Sequence, residues 1–332
     1  MHRRAFLATS LAAVACTQLT YAKETMGEVV RLDPRLDQLI GADAVIEKIA
    51  GGFDWAEGPI WQSAEKRLLF SDIPKNMIWQ WSTGGGLKPF LKPSGYTGTE
   101  KRGGESGCNG LTLNADGKLI LCQHGDRRIA RLNDDGKTFT TLADRYEGQR
   151  FNSPNDLVYG PHGDLYFTDP PYGLEKGADD PKREMNYCGV FRLSKEGKVT
   201  LLTKELTRPN GLGFSPDHKT LYVANSDPAK AIWMAYSMKD DGTLGEGKVF
   251  YDVTKEVGKM KGLPDGLKLD VQGNLFSTGP GGVWVFTPKA EVLGRIDPGC
   301  ATANCGWGED GSTLFMTADK SLCRIRTKAK GI

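Results

Sequence analysis

Carboxylates and carboxamides recur at one step of this sequence. Glu57 in Ala56-Glu57-Gly58-Pro59, Asn109 in Cys108-Asn109-Gly110-Leu111 and Asn155 in Pro154-Asn155-Asp156-Leu157 each precede an alternating apolar run. Asn210 in Pro209-Asn210-Gly211-Leu212, Asp265 in Pro264-Asp265-Gly266-Leu267 and Asn304 in Ala303-Asn304-Cys305-Gly306 do the same. Asn-Gly and Asp-Gly are common hairpin turns. Here, however, each pair precedes the first strand of a hairpin whose own turn comes later, and Glu57 is not a turn residue. If equivalent points of successive units converge, Glu57, Asn155, Asn210 and Asp265 bring together two carboxylates and two amide oxygens. Such carboxylates repel each other and lose hydration, a cost that one divalent cation removes. An all-oxygen set suits a hard ion, Ca2+ ahead of Mg2+ or Mn2+, with Zn2+ a further option. An ion so held can polarise a substrate oxygen.

The elements that must position these residues are short strands. After Asn109 come Leu111-Thr112-Leu113, the turn 114–117 and Leu119-Ile120-Leu121. The same pattern follows Asn155, with Leu165-Tyr166-Phe167 after the turn, and Asn210, with Leu221-Tyr222-Val223. Period-two apolar runs bounded by Gly, Pro and Asp read as hairpins. A third strand often follows, as in Val190-Phe191-Arg192-Leu193 and Val283-Trp284-Val285-Phe286. The units begin near positions 57, 109, 155, 210, 265 and 304, a loose repeat of the size of a four-stranded blade. The expected fold is all-β, a six-bladed β-propeller of four-stranded blades around a central tunnel; closing the ring leaves only short edges. A pair of β-sandwiches does not explain a sixfold recurrence. The segments 95–107 and 170–187 are long, polar and Gly-rich, and read either as binding-face loops or as surface decoration.

The chain has 332 residues, 39% hydrophobic and 25% charged, with net charge +2, an ordinary globular composition. No basic clustering points to nucleic acid. Residues 1–22 read as an export signal: Arg3-Arg4-Ala5-Phe6-Leu7, an apolar run and a small-residue cleavage site at Thr20-Tyr21-Ala22. The twin arginine indicates export of a folded protein to the periplasm. The run is too short to span a membrane, so no transmembrane span is expected. Val14-Ala15-Cys16 offers the alternative of a lipid anchor on Cys16. Residues 23–47 read as an N-terminal arm and 48–332 as the propeller. Beyond Cys16 lie Cys108, Cys122, Cys188, Cys300, Cys305 and Cys323, without paired C-x-x-C spacing, which argues against a zinc site. They read as small core residues, with pairing of Cys300 to Cys305 or Cys108 to Cys122 left open. No G-x-S-x-G elbow supports serine-esterase chemistry.

The strings Ala56-Glu57-Gly58-Pro59-Ile60-Trp61, Ser153-Pro154-Asn155-Asp156-Leu157, Arg208-Pro209-Asn210-Gly211-Leu212 and Leu263-Pro264-Asp265-Gly266-Leu267, in this order, resemble the SMP-30/gluconolactonase/regucalcin-like family. Thr168-Asp169-Pro170-Pro171-Tyr172-Gly173-Leu174 and Glu184-Met185-Asn186-Tyr187 are similar to its exported bacterial gluconolactonases. The resemblance runs from about residue 31 to the end. It implies one catalytic metal in the tunnel, with Glu57, Asn210 and Asp265 as ligands and Asn155 on the metal or the substrate. It implies Arg150 and Glu184 near the substrate mouth, and Asp265 as the catalytic base, with a metal-activated water as the alternative. The implied reaction is hydrolysis of a sugar lactone, D-glucono-1,5-lactone to D-gluconate. Asn109, Asn155, Arg150 and Glu184 could meet the substrate's hydroxyls. His124 reads either as a base or substrate contact or as a loop histidine. Asp169 and Tyr172 are expected at the mouth, and Trp55 either there or in the core between blades. The alternatives are a non-enzymatic propeller that binds calcium or a sugar acid, and a lactonase for another sugar lactone.

Overall fold

The computed structural model describes residues 24–332. The export-signal reading of residues 1–22 and the anchor alternative at Cys16 lie outside them. Six four-stranded antiparallel units form a six-bladed β-propeller. The inner strands of the first, second and fourth blades are Ala56–Gln62, Cys108–Leu113 and Pro209–Phe214. Those of the third, fifth and sixth are Leu157–Tyr159, Leu267–Leu269 and Thr302–Gly308. From each, the chain steps outward by consecutive hairpins.

The sixth blade is the exception, and it closes the ring. Its three inner strands come from the C-terminal end, while its outermost strand, Ile46–Gly51, pairs with Ser321–Arg326. The strand thus starts two residues inside the segment expected to be the arm. Upstream, Glu28–Arg31 adds a fifth strand to the outer edge of the fifth blade. Among the described residues no helix is long and apolar enough to cross a membrane.

The core lies between adjacent blades, where the two faces of each sheet bury alternate side chains. Trp233 of the fourth blade meets Phe286 of the fifth edge to face at 5.2 Å. Phe151, Phe167 and Phe191 stack with Ile120 and Cys122 between the second and third. The six described cysteines are free, and five are buried. Neither pairing left open by the sequence is formed; Cys108 instead fills the first blade interface with its Sγ 3.1 Å from Ser71 Oγ.

The opening step of a blade has its own geometry. Strand register shifts between Glu57 and Ile60, Cys108 and Leu111, Pro209 and Leu212, and Thr302 and Asn304. A bulge of this kind bends the strand and re-aims a side chain. In the third and fifth blades, Asn155 and Asp265 stand two residues before the paired strand. The glycine after each of two opening residues permits close approach of the next blade. A Cβ on Gly211 would overlap the carbonyl oxygen of Asp265, and one on Gly266 would overlap the Asn304 side chain. The Asn-Gly and Asp-Gly steps are therefore seams between blades, not hairpin turns.

Candidate active site

A cavity of about 360 Å³ opens at the tunnel, lined by Trp55, Glu57, Glu105, Asn109, Asn155, Tyr172, Asn210, Ser226, Leu263 and Asp265, among others. The opening residues of five blades thus share one wall. Glu57 is buried, and its Oε2 accepts a hydrogen bond from the Gly58 N–H at 3.0 Å. Burial, reinforced by the carboxylates of Asp156 and Glu105, pushes its carboxyl up to about 8 against that hydrogen bond. Asp265 keeps part of its surface open to the cavity. Enclosure in the tunnel, then Glu57, Asp156 and Glu105, holds its carboxyl well above the usual carboxylate range. Without a cation, the two groups resist ionising together.

The amides are oriented to complement them. Asn210 donates from Nδ2 to Ser226 Oγ at 2.8 Å, and Ser226 donates in turn to the Pro264 carbonyl. With its NH2 so engaged, Asn210 presents Oδ1, which is buried and has no hydrogen-bond partner. Asn109 Oδ1 is buried and unpartnered too. Buried acceptors are rarely left so, and each one needs a reason. Two carboxylates with raised proton affinity beside unpartnered amide oxygens form a donor set suited to one hard divalent cation. Among the described residues no group of three His, Cys, Asp or Glu side chains could hold a metal, so a cation here must draw on the amides.

Three residues expected at the substrate lie elsewhere. Arg150 and Glu184 do not line the cavity. The Arg150 backbone N–H donates to Glu184 Oε2 at 2.7 Å, and its guanidinium donates to the Asp126 carbonyl at 2.8 Å. Both groups tie surface segments to one another. His124 is fully buried behind the wall, its Nδ1 3.2 Å from Glu105 Oε2. Asp169, expected at the mouth, is buried inside the third blade, where its carboxylate accepts the N–H groups of Asn152 and Ser153 at 2.7 and 2.8 Å. Burial still raises it to about 7. Trp55 and Tyr172 do face the cavity. Asn304 accepts from the Cys305 N–H at 2.9 Å and reaches toward Asp156 at 3.5 Å.

Sequence reasoning assigned no role to Glu105, Ser226 or Asp156. Glu105 lies in the 95–107 insertion, whose length and polarity were the available signal. Ser226 follows a plain apolar strand run, and nothing local marks it as the partner of Asn210. Asp156 sits beside Asn155, buried, with its carboxyl raised chiefly by burial and moderated by Lys268.

Comparisons with known proteins show the family of this chain. The family model described as "SMP-30/Gluconolactonase/LRE-like region" matches residues 55–320. A gluconolactonase from Zymomonas mobilis subsp. mobilis is 42% identical over 313 residues, covering 92% of this chain and 88% of that protein. The solved structure of a gluconolactonase from Xanthomonas campestris superposes with a TM-score of 0.80 at 29% identity, covering 94% of this chain and 99% of that one. A 6-deoxy-6-sulfogluconolactonase from Pseudomonas putida is 25% identical, covering 80% of this chain and 83% of that protein. The family match spans every blade opening and the whole cavity wall, and on it this chain belongs to the SMP-30/gluconolactonase/LRE-like family.

Proposed function

We propose that this protein hydrolyses a sugar lactone, D-glucono-1,5-lactone to D-gluconate, with one divalent cation held by Glu57, Asn155, Asn210 and Asp265. The observation that carries the reading is the convergence of the Glu57 and Asp265 carboxylates with unpartnered amide oxygens in one cavity. Bound there, a hard cation such as Ca2+ supplies Lewis acidity at the lactone carbonyl and positive charge opposite the developing oxyanion.

The chain's own residues do the rest. Asp265 takes the proton of the attacking water on its carboxylate and returns it to the ring oxygen as the acyl–oxygen bond breaks. Ser226 holds Asn210 in one amide orientation, so that the carbonyl side of the amide faces the site. Asn109 and Asn155 offer amides to the polyol hydroxyls. Trp55, Tyr172 and Leu263 wall the sugar with apolar surface. Residues 1–22 direct the protein to the periplasm, where the reaction takes place.

Purified protein supplied with Ca2+ should release acid from D-glucono-1,5-lactone faster than the spontaneous rate. Absence of acceleration with Ca2+, Mg2+, Mn2+ and Zn2+ in turn would overturn the reading. The similarity to a sulfogluconolactonase supports a second reading in which another sugar lactone is preferred. Ranking kcat/KM over a lactone panel separates the two.

A further inference from the structure

Glu105 is the third carboxylate of the cavity wall, beside Glu57 and Asp265. No lysine, arginine or histidine lines that wall. The charges of Glu57 and Asp265 match a dication held between them, which leaves the charge of Glu105 uncompensated and facing the cavity. A cleft lined by one sign of charge, with low-dielectric walls, focuses its field on whatever enters.

Glu105 is held at the wall, not loosely presented. Its segment is tied at the start by Asn76, whose Oδ1 accepts the Gly95 N–H at 2.7 Å and the Ser94 N–H at 3.0 Å. It is tied at the end by the Gly107 N–H donating to the Ile73 carbonyl at 2.9 Å. Between these ties, Arg102 donates to the carbonyls of Gly125 and Gly173, which brackets His124. His124 is fully buried, and neither ring nitrogen makes a hydrogen bond among the described residues. The Glu105 Oε2 lies 3.2 Å from its Nδ1, a contact that seats the carboxylate against the ring. Glu105 itself remains 36% exposed, its other face free toward the cavity. The nearby arginines offset little of this charge. Arg102, Arg127 and Arg150 line a separate cleft and spend their guanidinium groups on backbone carbonyls. Arg208 is exposed, outside the wall and screened by solvent.

We infer that Glu105, seated by His124, is a charge filter that admits neutral sugar lactones, disfavours lactones carrying a phosphate, sulfonate or carboxylate, and drives out the product. The inference rests on the lactonase reading. Hydrolysis breaks the acyl–ring-oxygen bond, forms an acyl–hydroxyl bond and releases a proton at neutral pH. Substrate and product therefore differ by one negative charge at the reacting carbon, and a fixed carboxylate nearby tells them apart.

The test compares D-glucono-1,5-lactone with its 6-phosphate in the Ca2+-loaded protein. The wild type should prefer the neutral lactone, and Glu105→Gln should narrow the ratio of kcat/KM values by about tenfold. The same variant should be inhibited severalfold more tightly by gluconate. His124→Asn, which loosens the seat, should shift both quantities the same way by less. In the wild type alone, added salt should raise kcat/KM for the 6-phosphate more than for the neutral lactone, a readout that needs no folded variant. If the neutral lactone turns over while Glu105→Gln changes neither the ratio nor gluconate inhibition, the filter is wrong. If no lactone turns over, the lactonase reading fails first. Binding of gluconate against neutral sorbitol by wild type and Glu105→Gln then decides the filter: a severalfold gain for gluconate alone supports it, and equal changes overturn it.

Discussion

Ser226 is a small hydroxyl that no motif marks, yet it decides what Asn210 presents to the cavity. It accepts a hydrogen bond from the amide NH2 and donates one to the Pro264 carbonyl, one residue before Asp265. Ser226→Ala frees the amide to rotate. Cation affinity, measured by calorimetric titration, should fall about tenfold, the usual effect of losing a partner behind a metal ligand, while the melting temperature of the chelator-treated protein changes little. The carboxylates make a second prediction. Glu57, raised to about 8, and Asp265, also held well above its ordinary value, bind protons more tightly folded than unfolded when no cation is present. A raised folded pKa contributes stability that is full below the unfolded value near 4 and is lost as pH rises through the folded one. The chelator-treated protein should therefore melt at progressively lower temperature from pH 5 to pH 9. Buried Asp169, at about 7, adds a slope of the same sign that a cation does not remove. The diagnostic quantity is the gain on adding Ca2+, which should be larger at pH 8 than at pH 5.

At the scale of elements, the opening step of a blade, bulged in the first, second, fourth and sixth, does two tasks. It turns one side chain toward the axis, and it lets a glycine bring the neighbouring blade into contact. Gly211 sits against the backbone carbonyl of Asp265, which cannot swing aside as a side-chain tip can. Gly211→Ala should cost about 1–3 kcal/mol of stability in denaturant unfolding and lower cation affinity as well, because the displaced atom belongs to a ligand residue. The blades were legible in the sequence because each is built from local hairpins with period-two patterning and marked turns. Glu57, Asn109, Asn155, Asn210 and Asp265 were legible because they repeat at one step of that pattern and break it chemically. The insertions were not. Whether Arg150 faces the cavity or Asp126 depends on single tertiary hydrogen bonds, and neither spacing nor hydropathy records those. Asp169 was misplaced for a related reason: a carboxylate near a loop looks solvent-facing until the N–H groups of Asn152 and Ser153 are known to claim it.

At the scale of the molecule, the site exists only if the ring closes, because its lining comes from all six blades. The closing strand, Ile46–Gly51, joins the last blade across nearly the whole chain. No local pattern announces such a pairing, and the first two residues of the strand were read as part of the arm. Replacing Ile46, buried against Leu314 and Ile325, with Asp should lower the denaturation midpoint of the whole protein, and lactone hydrolysis should be lost along the same curve as fluorescence. The central claim, a cation held by the blade openings and needed for hydrolysis, is tested most directly by titrating chelator-treated protein with Ca2+ while following both bound metal and acid release from D-glucono-1,5-lactone. The rate should rise in proportion to occupancy and level off at one ion per chain. Full activity in metal-free protein, or one bound ion with no gain in rate, would contradict it.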